Sequence, residues 1–445
     1  MRIWCRRVVA AALLAAMAWP ASAATVIRDA EIESTIRAIA DPIFKAARLD
    51  PASINVYILN DDKLNAFVAG GQNLFINTGL IMRTENPDQL AGVIAHETGH
   101  IAGGHLTRAQ DAMASAGTSS IVGALLGAAA AVAGAPQLGT AIMAGGLTVA
   151  QRGFLAFSRA QEQTADQAAV NYLAALRMSP EGLLDFFRIL DTQNLRISSE
   201  GNSYLRTHPL TSDRIAFMED AVARSPYRDA KPDRSLMLEH QRAVAKLDGF
   251  LSNPAQVIAR RSADSLPDRY ARAVAYYRIP DLDKALALID GLIEERPEDP
   301  YFHELKGQML FENGRVAEAI APYRRAVRFR PDSALLRFGL ARALLEQGDA
   351  RNVDEAAALL QEAVRIEPDN AGAWRFLGVA EGRRGREGPA ALALAEQAVL
   401  LRNRKDADFY VHRAQQLIKP SDPSWYRLQD LSRAVEEIEP PPQRR

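Results

Sequence analysis

The sequence predicts a mainly α-helical protein in two parts: an α+β domain with a small β-sheet, followed by an α-solenoid of helical repeats. The chain has 445 residues, which is more than one ordinary domain needs. Hydrophobic residues make up 48% and aromatic residues only 7%, with alanine abundant, a composition that favours closely packed helices over a β-sandwich or barrel. The C-terminal third also repeats at a spacing of 34 residues, which is typical of stacked helical pairs.

Charge and cysteine content exclude several classes of protein. The 53 lysine and arginine side chains nearly cancel the 54 acidic ones, and the formal net charge of -1 leaves no overall positive field to attract nucleic acid. The single cysteine, Cys5, excludes both a disulfide framework and a metal site built from thiolates.

The first residues have the layout of a secretory signal peptide. Three arginines precede an uncharged apolar run, Val8 to Ala18, and the small residues Ala21-Ser22-Ala23 follow. The alternatives are a buried N-terminal helix and a membrane anchor, but the run is too short to span a bilayer, which takes about 20 residues. We therefore expect residues 1–23 to be cleaved off and the mature protein to work in the bacterial periplasm.

The residues that follow predict a small sheet among helices. Apolar spacing from Thr25 to Asp50 predicts an amphipathic helix, and Ile54 to Leu59 predicts a strand. Gly70-Gly71 predicts the turn of a hairpin whose second strand is Gln72 to Asn77. A further helix is predicted to begin at Asn86, a good cap residue that is followed by proline.

Residues 112–151 contain no charged side chain and are rich in alanine and glycine. Pro136 divides them into halves that are each too short to span a membrane. We expect a buried helical hairpin or lid packed through small residues. The alternative is a hairpin that makes peripheral contact with a membrane.

The repeats occupy the C-terminal third. Gly348 follows Gly314 by 34 residues, and Pro331 follows Pro297 by the same step. After an insertion of three residues, Trp374-Arg375-Phe376-Leu377-Gly378 supplies the aromatic-Leu-Gly opening of a further repeat. Positions that recur in phase at this period are the signature of tetratricopeptide repeats, and about four of them stack into a solenoid with a surface for recognition.

The first candidate for chemistry is His96-Glu97-Thr98-Gly99-His100 on the predicted helix. The two histidines lie four residues apart, so both imidazoles project from one face and can bind one Zn²⁺ ion per chain. Glu97 sits beside the first histidine and can activate a water as catalytic base without binding the metal itself. The alternative is an accidental pattern of structural histidines.

A catalytic zinc takes three protein ligands, and Glu162 is the best candidate for the third. Asp166 follows one turn later on the same predicted helix, where it can accept a hydrogen bond from a ligand histidine and fix its tautomer. The alternative is a pair of surface carboxylates. His105 falls one residue short of an extended zinc motif, and on a continuous helix it points about 180° away from His96, so we reject it as a ligand.

His208 is the last candidate. Held in a loop by Pro209, it can approach the zinc or a developing oxyanion, although taken alone it is more often an ordinary loop histidine. Three further histidines stand alone on helical patterns and are interpreted as structural: His240, His303 and His412.

Together these motifs resemble a known family, the exported bacterial relatives of the CAAX-prenyl-protease-like zinc peptidases. The segments that carry the resemblance are Asn65-Ala66-Phe67, Gly70-Gly71, Thr78-Gly79-Leu80, Ala91 to Arg108, Ser158 to Asp166, His208-Pro209 with Arg214-Ile215, and the repeats. The resemblance implies a zincin-like metallopeptidase domain with His96, His100 and Glu162 as zinc ligands and Glu97 as catalytic base. It also implies that His208 lies close to the metal, as a transition-state donor or as a gate.

The resemblance further implies a role in outer-membrane protein assembly and quality control, and His105 matches the family's extended zinc helix. We expect a periplasmic zinc-dependent endopeptidase that degrades misfolded or stalled outer-membrane proteins and assists their assembly. Its repeats would bind these proteins and the assembly machinery, and an extended substrate would pair with the strand at Gln72 to Asn77. The alternative is a non-proteolytic periplasmic chaperone or assembly adaptor with a structural or vestigial zinc site. The intact Glu97 argues against it, because a structural site needs no base.

The sequence thus predicts five consecutive parts. They are a signal peptide at 1–23, a zinc metallopeptidase domain at 24–228, a helical linker at 229–263, tetratricopeptide repeats at 264–404, and a C-terminal cap and tail at 405–445.

Overall fold

A computed structural model describes residues 25–105, 159–194, 204 and 208–438. The predicted signal peptide and the uncharged stretch at 112–151 lie outside these residues. The chain divides into two compact units, the first containing Thr35–His240 and the second joining Asp29–Ser34 to Gln241–Arg445. The domain bounds given above remain predictions.

The first unit contains a four-stranded sheet with the order β1-β2-β4-β3. Its strands are β1 (Thr25–Ile27), β2 (Asn55–Asn60), β3 (Ala66–Ala69) and β4 (Asn73–Asn77). β2 and β4 run parallel, whereas β1 pairs antiparallel with β2 and β3 pairs antiparallel with β4. The predicted strand and hairpin are confirmed; the short strand β1 was not predicted.

The place of β4 in the sheet corrects one expectation. β4 lies between β2 and β3 and is hydrogen-bonded on both sides, so the prediction that a substrate pairs with Gln72 to Asn77 is wrong. The strand at this edge of the sheet is β3. Parallel pairing of β2 with β4 brings together residues 18 positions apart, such as Asn55 and Asn73, and no local pattern in the sequence reveals that pairing.

The described helices that begin before residue 230 include those that carry the candidate site. They are α1 (Ala30–Ala46), α2 (Thr78–Arg83), α3 (Pro87–Ala102), α4 (159–175), α5 (Glu181–Asn194) and α6 (Ser212–Arg224). α1 confirms the predicted amphipathic helix, because its apolar residues Ile32, Ile36 and Ile43 are buried.

Helix α3 begins as the sequence predicts. The Asn86 side chain accepts a hydrogen bond from the Gln89 amide at 3.1 Å, and Pro87 occupies the first helical turn. A side chain on Gly92 would place its Cβ 2.7 Å from the backbone nitrogen of Leu183, so only glycine lets α3 and α5 approach this closely. α3 is therefore a buried scaffold element, held along its length by its neighbours.

From Arg234 onward the described chain consists of helices joined by short turns. They are α7 (Arg234–Leu251), α8 (Pro254–Arg260), α9 (Leu266–Arg278), α10 (Leu282–Glu295), α11 (Pro300–Glu312), α12 (Val316–Phe329), α13 (Ala334–Gln347), α14 (Ala350–Ile366), α15 (Ala371–Arg383), α16 (Glu387–Leu400), α17 (Arg404–Leu417) and α18 (Ser424–Glu436). Along the part of the chain that the structure describes, no helix is both long enough and apolar enough to pass through a membrane.

The helical pairs explain the 34-residue period. Gly314, Gly348 and Gly385 have φ angles of 77°, 83° and 73°, and each lies in the turn between the two helices of a pair. This left-handed conformation favours glycine, which is why glycine recurs at the period. The three-residue insertion is accommodated in α14, which has 17 residues where α12 and α16 have 14.

Candidate active site and metal centre

Helix α3 presents the two predicted zinc-binding histidines on one face. The Nε2 atoms of His96 and His100 lie 3.1 Å apart, and the rings meet edge to face with their centroids 4.8 Å apart. His96 and Glu97 are fully buried. The four-residue spacing therefore places both imidazole nitrogens at one point inside the first unit.

Helix α4 brings the Glu162 carboxylate to the same point. The Glu162 oxygens lie 3.3 Å from His96 Nε2 and 3.4 Å from His100 Nε2. The helices approach closely because residue 99 is glycine; a Cβ there would lie 3.0 Å from both the Cα and the carbonyl oxygen of Ala165. Glu162 thus meets both histidines across a contact between two helices.

His208 completes the group of converging side chains. Its Nδ1 lies 3.1 Å from a Glu162 oxygen and 3.4 Å from His96 Nε2, and its Nε2 lies 3.4 Å from a Glu97 oxygen. The Tyr204 ring stacks against the His208 ring with centroids 4.6 Å apart. One ligand atom each from His96, His100, Glu162 and His208 lies within 4.8 Å of the others.

Asp166 lies behind the first histidine, as predicted for a residue that orients it. An Asp166 oxygen is 2.8 Å from His96 Nδ1, which leaves Nε2 facing Glu162. Arg214 donates to both Asp166 oxygens at 2.7 and 2.8 Å and also lies 2.8 Å from a Glu162 oxygen. The sequence alone indicates no role for Arg214. The available signal was its position in the segment that begins at His208, at the start of a capped helix.

The surroundings shift the pKa values of these groups in different directions. Burial acts to lower the pKa of His96, but hydrogen bonds to Asp166 and Glu162 outweigh it and raise the pKa to about 9. Burial raises the pKa of Glu97 to about 7. Burial also opposes ionisation of Glu162, yet hydrogen bonds from the surrounding histidines hold its pKa below the usual range. The site combines a carboxylate that stays ionised with one that can exchange a proton near neutral pH.

The converging residues fit a divalent metal ion. Two imidazoles and one carboxylate form a donor set that suits zinc in hydrolytic sites. Both carboxylate oxygens of Glu97 are buried and lack a hydrogen-bond partner among the described residues. A buried carboxylate that accepts no hydrogen bond is costly unless a ligand or water supplies one, so the surroundings of Glu97 suit the binding of a further polar group.

His105 does not point away from the site, as the sequence predicts, but lies beside His100. α3 ends at Ala102, and Gly104 turns the chain with a φ of 60°. His105 therefore folds back, and its Nδ1 lies 3.0 Å from Nδ1 of His100. The expectation that His105 points away from the site is wrong because the helix does not continue. It contacts the far nitrogen of His100 and is not among the four converging ligand groups.

The three other histidines lie outside the site. His240 is buried and its Nε2 lies 2.8 Å from the Thr84 hydroxyl. His303 is buried with its Nε2 2.8 Å from the Pro297 carbonyl oxygen, and His412 is exposed.

Two parts of the chain match families of known proteins. Residues 27–222 match peptidase family M48, and residues 270–334 and 338–408 match the tetratricopeptide repeat. The chain is 26% identical over 388 residues to a beta-barrel assembly-enhancing protease of Yersinia pestis, a match that covers 85% of this chain and 78% of that protein.

Two relatives from Escherichia coli are also similar. The beta-barrel assembly-enhancing protease of strain K12 is 25% identical over 366 residues, covering 80% of this chain and 73% of its own. Metalloprotease LoiP is 27% identical over 205 residues, covering 44% of this chain and 72% of its own. The match to family M48 contains all the converging residues, and the predicted fold class, an α+β metallopeptidase domain followed by helical repeats, is confirmed.

Proposed function

We propose that this metallopeptidase, whose residues 27–222 match peptidase family M48, is a zinc endopeptidase. His96, His100 and Glu162 hold the metal, one ion per chain, and Asp166 fixes the tautomer of His96. A bound Zn²⁺ supplies Lewis acidity toward the scissile carbonyl. The donor chemistry of the three ligands and the 2.8 Å contact between Asp166 and His96 support these assignments.

The observation that carries the proposal is the carboxylate of Glu97, which lies 3.4 Å from His208 Nε2 without forming a hydrogen bond to it. It is buried beside the converging ligands, and neither oxygen has a hydrogen-bond partner in the described part of the chain. Such a group takes a proton from the attacking water and returns it to the leaving amine. A chaperone or adaptor with a structural zinc site has no use for it, because the desolvated carboxylate only destabilises the fold.

The test is a comparison of wild type with Glu97→Gln. We expect the variant to retain about one zinc ion and its melting temperature, while cleavage of casein falls about 10²–10⁴-fold because the proton-transfer group is lost. Glu219→Gln, on the exposed side of α6, serves as the matched control and should cleave normally. Casein cleavage by Glu97→Gln at the wild-type rate would show that the mechanism is wrong.

The substrate binds as an extended strand along β3. Among the strands that the structure describes, β3 lies at the edge of the sheet, and it contacts helix α3, which carries His96, Glu97 and His100. A strand added to β3 makes backbone hydrogen bonds without regard to sequence, so unfolded segments are accepted and folded ones are not.

His208 acts as a gate. Its Nδ1 faces Glu162 and His96 from 3.1 and 3.4 Å, and a neutral imidazole there is a suitable fourth ligand that keeps the enzyme latent. We predict that His208→Ala raises basal casein cleavage in an assay at saturating zinc. A fall of about 10²–10³-fold would instead identify an oxyanion donor. Unchanged cleavage with unchanged zinc content would eliminate both roles.

The physiological role is periplasmic degradation of misfolded or stalled outer-membrane proteins and assistance in their assembly. The similarity to proteases named for β-barrel assembly supports this role, and the helical repeats supply a surface for these proteins and for the assembly machinery. Crosslinking of Glu97→Gln in intact cells, followed by mass spectrometry, should recover outer-membrane β-barrel proteins. Recovery of soluble periplasmic proteins alone would contradict the role.

A further inference from the structure

One arginine in the repeats lies among aromatic rings without a charged partner. The guanidinium carbon of Arg342 lies 5.2 Å from the ring centre of Phe311, 5.6 Å from that of Phe338 and 5.8 Å from that of Phe376. These distances are within the range of cation–π contacts. We call this group the Arg342 pocket.

The pocket lies on the face formed by the first helices of successive repeats. Phe311 belongs to α11, Arg342 and Phe338 to α13, and Phe376 to α15. All three rings are only partly buried, and Phe338 and Phe376 meet edge to face at 5.4 Å. The neighbouring Val379 on α15 is 38% exposed, which extends the apolar surface beside the rings. The face therefore offers one cation surrounded by accessible apolar groups.

Arg342 differs from the other half-buried arginines of the repeats. Arg384 pairs with Asp354 at 2.7 Å, and Arg337 donates to the Pro331 carbonyl oxygen at 2.9 Å. Among the described residues, Arg342 has neither a hydrogen bond nor an ion pair, although Glu346 lies one turn further along α13. Contacts with aromatic rings do not supply oxygen acceptors for the N–H groups of a guanidinium, and these N–H groups can bind a carboxylate through two parallel hydrogen bonds.

We propose that the Arg342 pocket binds the C-terminal carboxylate of an unfolded polypeptide whose last side chain is apolar. The carboxylate and the last side chain share one Cα atom, so both fit a site in which the cation and the rings are about 6 Å apart. Glu312 and Glu346 flank the pocket in sequence and repel every carboxylate that approaches, so a ligand with one carboxylate suits the face better than a run of acidic side chains. The proposal deepens the recognition role given to the repeats under the proposed function.

The test measures binding to the full-length Glu97→Gln protein with zinc bound, so that the probe is not cleaved. The probe is an N-terminally labelled Gly/Ser peptide that ends in phenylalanine, and fluorescence anisotropy reports binding. One arm carries a free C-terminal carboxylate, a second ends in an amide, and a third ends in an amide but contains a glutamate before the phenylalanine. Comparison of the second and third arms separates a side-chain carboxylate from the chain terminus.

We expect the free acid to bind at least about tenfold more tightly than the amide, which is the effect of one charge-assisted pair. Arg342→Gln should abolish this difference, whereas Arg328→Gln, an exposed arginine beside Phe329 on α12, should preserve it. Phe338→Leu is a second variant; it should weaken binding of the free acid while leaving some preference over the amide.

Three outcomes would overturn the proposal. Equal affinity for acid and amide excludes recognition of the terminus, and tight binding of the amidated glutamate peptide assigns the pocket to acidic side chains. An unchanged preference in Arg342→Gln places the binding elsewhere on the chain. Casein cleavage by the parent enzyme is measured separately, so failure of this proposal is distinguishable from failure of the peptidase function.

Discussion

Each unit of the protein has a buried cluster of charged side chains, and the two clusters are satisfied in different ways. In the second unit, Lys246 Nζ lies 2.7 Å from Asp29 and 3.4 Å from both Glu31 and Glu304. Arg242 lies 2.6 Å from Glu31, and every carboxylate of this cluster faces a cation. In the first unit, neither oxygen of the buried Glu97 has a hydrogen-bond partner among the described residues, and the group that faces it at 3.4 Å, His208 Nε2, belongs to an imidazole whose pKa is lowered by burial.

The charges around Lys246 are paired with one another and stabilise the fold, whereas the charges around Glu97 belong to the candidate active site. Burying a charge costs free energy, and pairing offsets that cost only when the partners remain in place. Each carboxylate in the cluster around Lys246 has a cationic partner. These carboxylates hold the pKa of Lys246 well above its usual range despite burial. Under the proposed function, the cluster around Glu97 is the place where a metal, a water and a substrate would meet. Mutations should therefore affect stability in one unit and metal content or turnover in the other.

The largest effect is expected at the ligand from α4. Glu162→Ala removes the carboxylate that faces both imidazoles, so zinc should fall from about one ion per chain to well below it, as measured by mass spectrometry of dialysed protein. Glu181→Ala, at the start of α5, is the control and should keep its metal. Full zinc occupancy in Glu162→Ala would show that Glu162 is not the third ligand, and His208 would be the next candidate.

A smaller effect, on stability alone, is expected in the second unit. Lys246→Met leaves the buried Glu31 and the partly buried Asp29 and Glu304 with too little positive charge, which should lower the free energy of unfolding by about 3–5 kcal/mol. Urea denaturation measures this loss, and metal content should not change. Arg324→Ala is the control: its pair with Glu355 is exposed and contributes less than about 1 kcal/mol. Equal losses in the two variants would contradict the contrast between the units.

The smallest effect is expected at Arg214, which contacts the proposed ligand Glu162 and holds Asp166 against His96. Arg214→Lys keeps the positive charge but loses the fork that holds both Asp166 oxygens, so metal affinity should fall about 10–100-fold with the fold intact. Competition with a zinc-binding dye measures the affinity. Arg224→Lys, near the exposed end of the same helix, should bind zinc as wild type does. If both variants bind equally, Arg214 contributes to packing only.

Features of the site that depend on short spacings were predictable from sequence. The step from His96 to His100 follows from helix geometry, and the glycine period follows from the left-handed turn that each pair of helices needs. Asp166 was predictable in the same way, because it lies one turn beyond Glu162.

What the sequence could not show depends on contacts between distant segments. The sequence predicts β4 only as the second strand of a hairpin, because no local pattern shows that β4 also pairs in parallel with β2. The place of His105 depends on where α3 stops, and Gly103-Gly104 allows several continuations. Arg214 looks like an ordinary polar residue at a helix start; only the fold reveals that it is 2% exposed and faces two carboxylates.

The contact at Gly99 has a consequence for which residue this position can accept. Gly99 on α3 faces Ala165 on α4 beside the candidate site, so the distance between the two helices there depends on the size of residue 99. A single methyl group added at Gly99 would make the backbone of Ala165 give way by a few tenths of an ångström. That movement exceeds the roughly 0.2 Å by which metal–ligand distances usually vary, so alanine at position 99 would be tolerated by the packing sooner than by a metal site.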